Sequence, residues 1–302
     1  MGDLCKGRVV IVTGSGRGIG RAHALEFARQ GACVVVNDLG AEVDGSGGSQ
    51  GPAGEVVDEI HAMGGEAVAN GDDVADWEGG GRLVKTAIEK FGRLDVVVNN
   101  AGILRDRMFV STSEQEWDAV LHVHLKGHFC VSRHAGAYWR QCSKEGKEVD
   151  ARIINTSSGA GLQGSVGQST YAVAKAGIAA LTLVQAAEMS RYGVTSNAIA
   201  PAARTRMTEA VFADMMAAPE EGVFDEMAPE NISPLVVWLG SAESREVSGR
   251  TFEVAGGKIS VADGWRTGPE VDNGARWDPA DVGEAVKKII GRAVEPQKVY
   301  GT

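Results

Sequence analysis

Short apolar runs recur along the chain with helix-like stretches between them. "RVVIVT" (8–13), "ACVVVND" (32–38), "EAVAN" (66–70), "LDVVVNN" (94–100), "ARIINTS" (151–157), "VTSNAIA" (194–200) and "TFEVAGG" (251–257) are continuous rather than alternating. Such strands belong to a parallel sheet covered on both faces. The intervening "GRAHALEFARQG" and "YAVAKAGIAALTLVQAAEMSRYG" read as helices, the second stopped by Gly193. Strict alternation predicts an α/β fold, a Rossmann-like doubly wound parallel sheet of seven strands with helices on both faces.

The pattern also sets the domain organisation. The Gly- and Ser-rich "GAEVDGSGGSQGPAGE" (40–55) follows a single strand–helix–strand unit, too little for a domain, and is predicted to be a long surface loop. Residues 1–257 form one domain, and 258–302 a C-terminal extension ending in a helix. In that helix Asp278 is the cap, Pro279 suits the first turn, and Val282, Val286, Ile289 and Ile290 make one apolar face. This face is expected either to dock on its own domain or to cover an active site, its own or a neighbour's.

Composition narrows the function. A net charge of -10 and 23% charged residues disfavour binding to nucleic acid or anionic membranes. No apolar run is expected to reach the length of a membrane helix, and no signal peptide opens the chain. Four scattered cysteines without a Cys-x-x-Cys suit reduced thiols, so a cytoplasmic protein is expected.

Candidate chemistry begins at "TGSGRGIG" (13–20), where strand gives way to helix. Glycines there let the backbone approach a pyrophosphate seated on the helix N-terminus. The spacing departs from G-x-G-x-x-G, because the third glycine would fall on Ile19. Asp38 ends the second strand, where a carboxylate can accept from ribose hydroxyls and repel a 2'-phosphate, which favours NAD; Arg17 is the counterweight. Tyr171 and Lys175 stand four apart on one helical face. A neighbouring ammonium is expected to depress the phenol pKa and make Tyr171 a usable acid/base, with a serine of "INTSSGAG" at a strand end to bind the reacting oxygen.

With these motifs the chain resembles the short-chain dehydrogenase/reductase family. It carries T-G-x-x-x-G-x-G at Thr13–Gly20, N-N-A-G at Asn99–Gly102, and Ser158 thirteen residues before Y-x-x-x-K at Tyr171 and Lys175. The resemblance covers residues 5 to 257. It implies an oxidoreductase of CH–OH groups in which Ser158 orients the substrate oxygen, Tyr171 transfers the proton, and Lys175 serves the tyrosine and the nicotinamide ribose. Cofactor contacts are implied at Gly14, Arg17, Gly18, Ile19, Gly20, Asp38, Asp73, Val74, Asn100, Ala101, Gly102, Pro201 and Thr205. Thr205 lies in "PAART", one residue shorter than the family's P-G-x-x-x-T. His124 in "HVHLKG" stands where the family has a catalytic asparagine, so a histidine relay with pH sensitivity near neutrality is expected. His122, His124 and His128 suggest packing rather than a metal site, since no third ligand accompanies them, and no metal is expected.

A narrower resemblance is to the dehydrogenase unit of the peroxisomal multifunctional β-oxidation enzyme, the 17β-hydroxysteroid dehydrogenase type 4 group, and its bacterial relatives. It rests on "VVVNDLG", "NNAGILRDRMF", "VHLKGHF" and "NAIAPAARTRMTE". It implies NAD-dependent oxidation of a 3-hydroxyacyl-CoA, fatty acyl or steroid side chain, to the ketone. The alternatives are a 17β-hydroxysteroid or other secondary alcohol and, remotely, an idle NAD-binding scaffold. Met207, Phe212, Met215, Met216, Phe224 and Met227 are candidates for an apolar substrate lid, Arg105 and Arg107 for a CoA phosphate. A homodimer or homotetramer paired through the helices of residues 113–141 and 170–192 is also implied.

Overall fold

The structure, a computed structural model, describes residues 2–40, 51–205, 219–220, 222–262 and 264–302. Strands β1 (Val9–Thr13), β2 (Cys33–Asn37), β3 (Glu66–Asn70), β4 (Val96–Asn99), β5 (Ala151–Thr156), β6 (Val194–Ala202), β7 (Thr251–Ala255) and β8 (Lys258–Ala262) form one sheet in the order β3-β2-β1-β4-β5-β6-β7-β8. The first seven strands run parallel and β8 turns back antiparallel to β7. The doubly wound sheet thus has eight strands, not seven. Gly256, at φ +52, makes the tight reversal after β7, and the alternating "KISVA" is an edge strand that the search for continuous apolar runs passes over.

Helices α1 (Gly18–Arg29), α2 (Gly51–Ala62), α3 (Trp77–Phe91), α4 (Glu114–Leu121), α5 (Gly127–Lys144), α6 (Gly159–Gln163), α7 (Ser169–Met189), α8 (Ser233–Gly240) and α9 (Pro279–Ile290) complete the described elements. Successive strand residues serve opposite faces of the sheet. Val10, Val12, Val34, Val36 and Ile154 meet α1, α2 and α8, whereas Val9, Ile11, Val35, Val97 and Ile153 meet α3 and α5. The expected loop 40–55 is shorter than the composition suggests. Helix α2 begins at Gly51, because Pro52 suits a first turn and Ala53, Val56 and Ile60 present a buried face; residues 41–50 lie outside the described residues.

A charged side chain sits inside this core. Arg152 of β5 is 1% exposed; its Nε donates to Ser241 O at the C-terminal end of α8 (3.0 Å) and to Ser244 Oγ (3.2 Å), and its Nη2 to Asp150 (2.7 Å). Arg8 holds the other oxygen of Asp150 at 2.9 Å, so the buried cation is both paired and hydrogen-bonded.

Contrary to the expectation from apolar runs, one stretch, Ser169–Tyr192, is long and apolar enough by length and composition to cross a membrane. Here it packs with Lys175, Ile178, Thr182 and Gln185 buried. Helix α9 forms with Asp278 as its cap, yet no residue from 264 to 302 is buried. Its face does not dock deeply on this domain.

Candidate active site

In open α/β sheets ligands lie beyond the carboxyl ends of the strands where strand order reverses, here between β1 and β4. A cleft of about 1330 Å³ opens there. The turn from β1 into α1 is fixed by its glycines. Gly14 and Gly18 hold positive φ of 62° and 55°, and a Cβ on Gly20 would stand 2.2 Å from the Gly14 carbonyl oxygen. Gly20 is therefore required for contact between turn and helix. Asn100 locks the turn from the neighbouring strand, donating from Nδ2 to the carbonyls of Thr13 (3.0 Å) and Gly14 (3.1 Å), and Thr13 Oγ1 accepts from the amides of Asn100 (2.9 Å) and Ala101 (3.1 Å). The result is a cradle walled by backbone and open to an anion.

Asp38 sits at its rim. Its Oδ2 accepts from Gly16 N (2.8 Å) and its Oδ1 from Gly40 N (2.7 Å), so the carboxylate is pinned by two amides, and each oxygen keeps a further lone pair. Asp73 and Val74 line the same cleft, Asp73 Oδ1 accepting from Ala75 N at 2.8 Å. Arg17, Ile19, Ala101, Gly102, Pro201 and Thr205 also line it, and the Thr205 methyl lies over Gly18. Arg204 and Asp225 form a two-pronged ion pair (2.9 and 2.7 Å) that ties residue 204 to the stretch containing Met227, another cleft residue. Met207, Phe212, Met215 and Met216 lie outside the described residues; Phe224 is exposed. Arg105 and Arg107 both line the cleft, and Arg107 is paired with Glu116 at 3.1 Å.

Across the cleft stands the serine–tyrosine–lysine cluster. Ser158 caps α6, its Oγ accepting from Ala160 N, and it is hydrogen-bonded to the Tyr171 hydroxyl. Lys175 places Nζ 5.5 Å from the centroid of the Tyr171 ring and donates to Thr156 O at 2.7 Å. The expected depression of the phenol pKa is absent from the protein itself. Burial raises Tyr171, only partly opposed by the bond from Ser158 and reinforced by the charge of Asp106. Burial also lowers Lys175 to about 7, so the ammonium that should stabilise a phenolate is itself easily lost.

His124 departs from its expected role as well. It occupies a π-helical turn, His122–Lys126, inserted between α4 and α5. Its ring meets Tyr171 edge-on at 5.3 Å, and Nε2 donates to the Ile103 carbonyl at 2.8 Å. Burial, helped by the charge of Lys175, pushes its pKa down to about 3, so it stays neutral near pH 7 and adds no pH sensitivity there. A Cβ on Gly102 would lie 2.3 Å from the imidazole, which explains a glycine at that point. His128 is buried one turn on, and burial with the charge of Lys175 holds its pKa well below the usual range.

Three participants carry no signal in the sequence: Thr156, whose carbonyl receives Lys175; Asp106, half-buried and bonded to Gln168 Nε2 at 2.8 Å; and Tyr300, brought into the cleft from the far end of the chain. The first acts through backbone and the other two through tertiary contact, which local patterns do not report.

A parallel sheet with a glycine cradle at its switch point and a Ser–Tyr–Lys cluster beside it defines a dinucleotide-type hydride-transfer enzyme. The chain belongs to the short chain dehydrogenase family, whose model matches residues 8–216, and it is an oxidoreductase acting on CH–OH groups. It is 45% identical over 289 residues to the hydroxyacyl-CoA dehydrogenase ChsB1 of Mycobacterium tuberculosis, covering 91% of this chain and 86% of that one. It is 48% identical over 253 residues to the peroxisomal multifunctional enzyme type 2 of Mus musculus, covering 84% of this chain and 32% of that much longer protein. A crystal structure of a short chain dehydrogenase from Mycobacterium avium superposes with a TM-score of 0.89 at 63% identity, over 99% of this chain and 100% of that one.

Proposed function

We propose that the protein is an NAD-dependent dehydrogenase that oxidises the hydroxyl of a 3-hydroxyacyl-CoA thioester, fatty acyl or steroid side chain, to the ketone. The observation that carries the chemistry is the buried Tyr171 held between Ser158 and Lys175 at the edge of the cradle. The substrate class is supported by the hydroxyacyl-CoA dehydrogenase named among the similar proteins. The cradle suits a dinucleotide because its wall leaves no room for a side chain at Gly14 and Gly20, and Gly18 supplies the positive φ that turns the chain. In this reading Gly14, Arg17, Gly18, Ile19 and Gly20 hold the pyrophosphate, Asp38 a ribose, Asp73 and Val74 the adenine, and Asn100, Ala101, Gly102, Pro201 and Thr205 the nicotinamide half. The pinned carboxylate of Asp38 favours NAD over NADP by repulsion of a 2'-phosphate.

NAD, when bound, supplies the hydride acceptor. The chain's own residues do the remainder. Ser158 Oγ donates to the substrate oxygen, Lys175 Nζ, oriented by the Thr156 carbonyl, stabilises the Tyr171 phenolate, and that phenolate takes the hydroxyl proton and becomes neutral. Because burial raises the Tyr171 pKa, oxidation gains rate as pH rises and the phenol ionises. A homodimer or homotetramer belongs to the same reading, supported by Phe129, Leu183 and Val184 exposed on α5 and α7; a cytoplasmic setting is supported by four unpaired cysteines.

The test is NADH formation with (3R)- and (3S)-hydroxyacyl-CoA thioesters, 17β-hydroxysteroids and simple secondary alcohols. Selective turnover of (3R)-thioesters is the expected result. Turnover of free alcohols alone would discard the thioester reading and leave a dehydrogenase of another substrate class.

A further inference from the structure

The last residues of the chain return to the cleft after a long exposed excursion. Tyr300 N donates to Gly164 O (3.2 Å) and Val166 N donates to Tyr300 O (2.9 Å), a short parallel bridge to the segment that follows α6. Val299 packs over Gly164, where a Cβ would lie 3.4 Å from its Cγ1. The phenol of Tyr300 covers Gly159: a Cβ built there would stand 2.6 Å from Oη. Gly159 is the residue after Ser158, so the ring lies beside the point where a substrate oxygen must bind. Tyr300 and Gly301 line the same cleft as Ser158, Tyr171 and Gln168.

Nothing upstream forces this placement. Helix α9 and its flanks bury no residue, so the tail is not carried to the cleft by a docked helix. It is held by its own two main-chain bonds and by the fit of ring to glycine. Tyr300 remains 47% exposed, a ring with one face on protein and the other open to the cleft. An aromatic side chain in that position offers a large, stiff, apolar surface with few torsions to freeze.

We infer that Tyr300 is a substrate-contacting residue that narrows the cleft beside Ser158 and selects alcohols whose carbinol carbon carries slim, unbranched groups. This rests on the reading of the site as a secondary-alcohol dehydrogenase, not on the thioester. The ring packs along the first carbons of a straight chain and blocks a ring or branch at that position. The contact comes from the aromatic ring, so phenylalanine should serve and alanine should not.

The experiment compares full-length enzyme with Tyr300→Phe, Tyr300→Ala and a chain lacking residues 297–302. For each, kcat/KM is measured for a slim and a bulky 3-hydroxyacyl-CoA, and NADH affinity by fluorescence titration. Tyr300→Ala and the shortened chain are expected to shift the bulky-to-slim ratio about tenfold toward the bulky substrate, with KM for the slim one raised, while Tyr300→Phe stays near the parent. NADH affinity should be unchanged in all. An unchanged ratio in both the alanine and shortened forms would overturn the inference. So would a parallel loss of NADH affinity or folding, since Tyr300 would then be a structural support. If the parent enzyme leaves thioesters untouched, the thioester reading alone fails, and the same ratio is taken on slim and bulky members of the alcohols it does oxidise.

Discussion

Lys175 gives the sharpest quantitative expectation. The residue is 2% exposed and its Nζ donates to the Thr156 carbonyl, a neutral acceptor, so the folded protein binds a proton there poorly. Burial lowers its pKa from 10.5 to about 7. The sign follows from proton counting. Between those two values the unfolded chain holds the proton and the folded one does not, so stability rises with pH across that window. At about 1.4 kcal/mol per unit, the full penalty at low pH, where both states are protonated, is on the order of 5 kcal/mol. Between about pH 7 and pH 9 the gain is about 2 kcal/mol, because the folded state is already half deprotonated at the start. Lys175→Met removes the titration while keeping an unbranched chain of similar reach. It also leaves Thr156 O without its donor, a fixed loss independent of pH. The assay is urea unfolding of parent and variant, without cofactor, at closely spaced pH. The parent should gain on the variant by about 2 kcal/mol over that interval, and the gap should be flat below about pH 6. A gap that does not change with pH would refute the placement of a strained ammonium under the tyrosine.

Three other outcomes follow from the geometry. Tyr171→Phe should lower turnover by about a thousandfold or more with NADH affinity nearly intact, since the phenol hydroxyl moves the proton and the ring stays in place; unaltered turnover would refute the assigned chemistry. Asp38→Ala should raise the KM for NAD about tenfold and narrow the preference over NADP, measured by cofactor titration at fixed substrate. Arg152→Met should lower unfolding free energy by about 3 kcal/mol, read from denaturant midpoints, because Asp150 loses its buried cation and the end of α8 loses its donors.

Much of this site was legible in the sequence because its parts sit at fixed spacings within single elements. Thr13 to Gly20 is one strand-to-helix turn, and Tyr171 with Lys175 is one turn of one helix, so local geometry already sets their relation. The continuous apolar strands were legible for the same reason, the central ones, β1, β4 and β5, being buried on both sides. What escaped depends on surroundings. The amino-acid order places an ammonium near a phenol, but only the packed structure shows that burial outweighs their attraction, raising Tyr171 and bringing Lys175 down to about 7. His124 reads as a titrating group until the walls around it are known. β8 hides because an exposed edge strand needs no continuous apolar run, and Arg152 because a buried cation inside an apolar strand requires partners, Ser241 and Ser244 after α8, that lie far away in sequence.

The π-helical turn at His122–Lys126 has a consequence for chain length. A wide turn accommodates one residue more than an α-helix would over the same rise. Each residue rotates an α-helix by about 100°, and taking up one extra residue within a single wide turn cancels that rotation and keeps α5 in phase with α4. Val131, Ala135 and Trp139 therefore keep their places against the sheet. Deleting one residue between 122 and 126 would restore a regular helix with these side chains still on the core, and would move His124 away from Ile103 and the Tyr171 ring. A one-residue deletion there should therefore spare the core and cost the site its histidine.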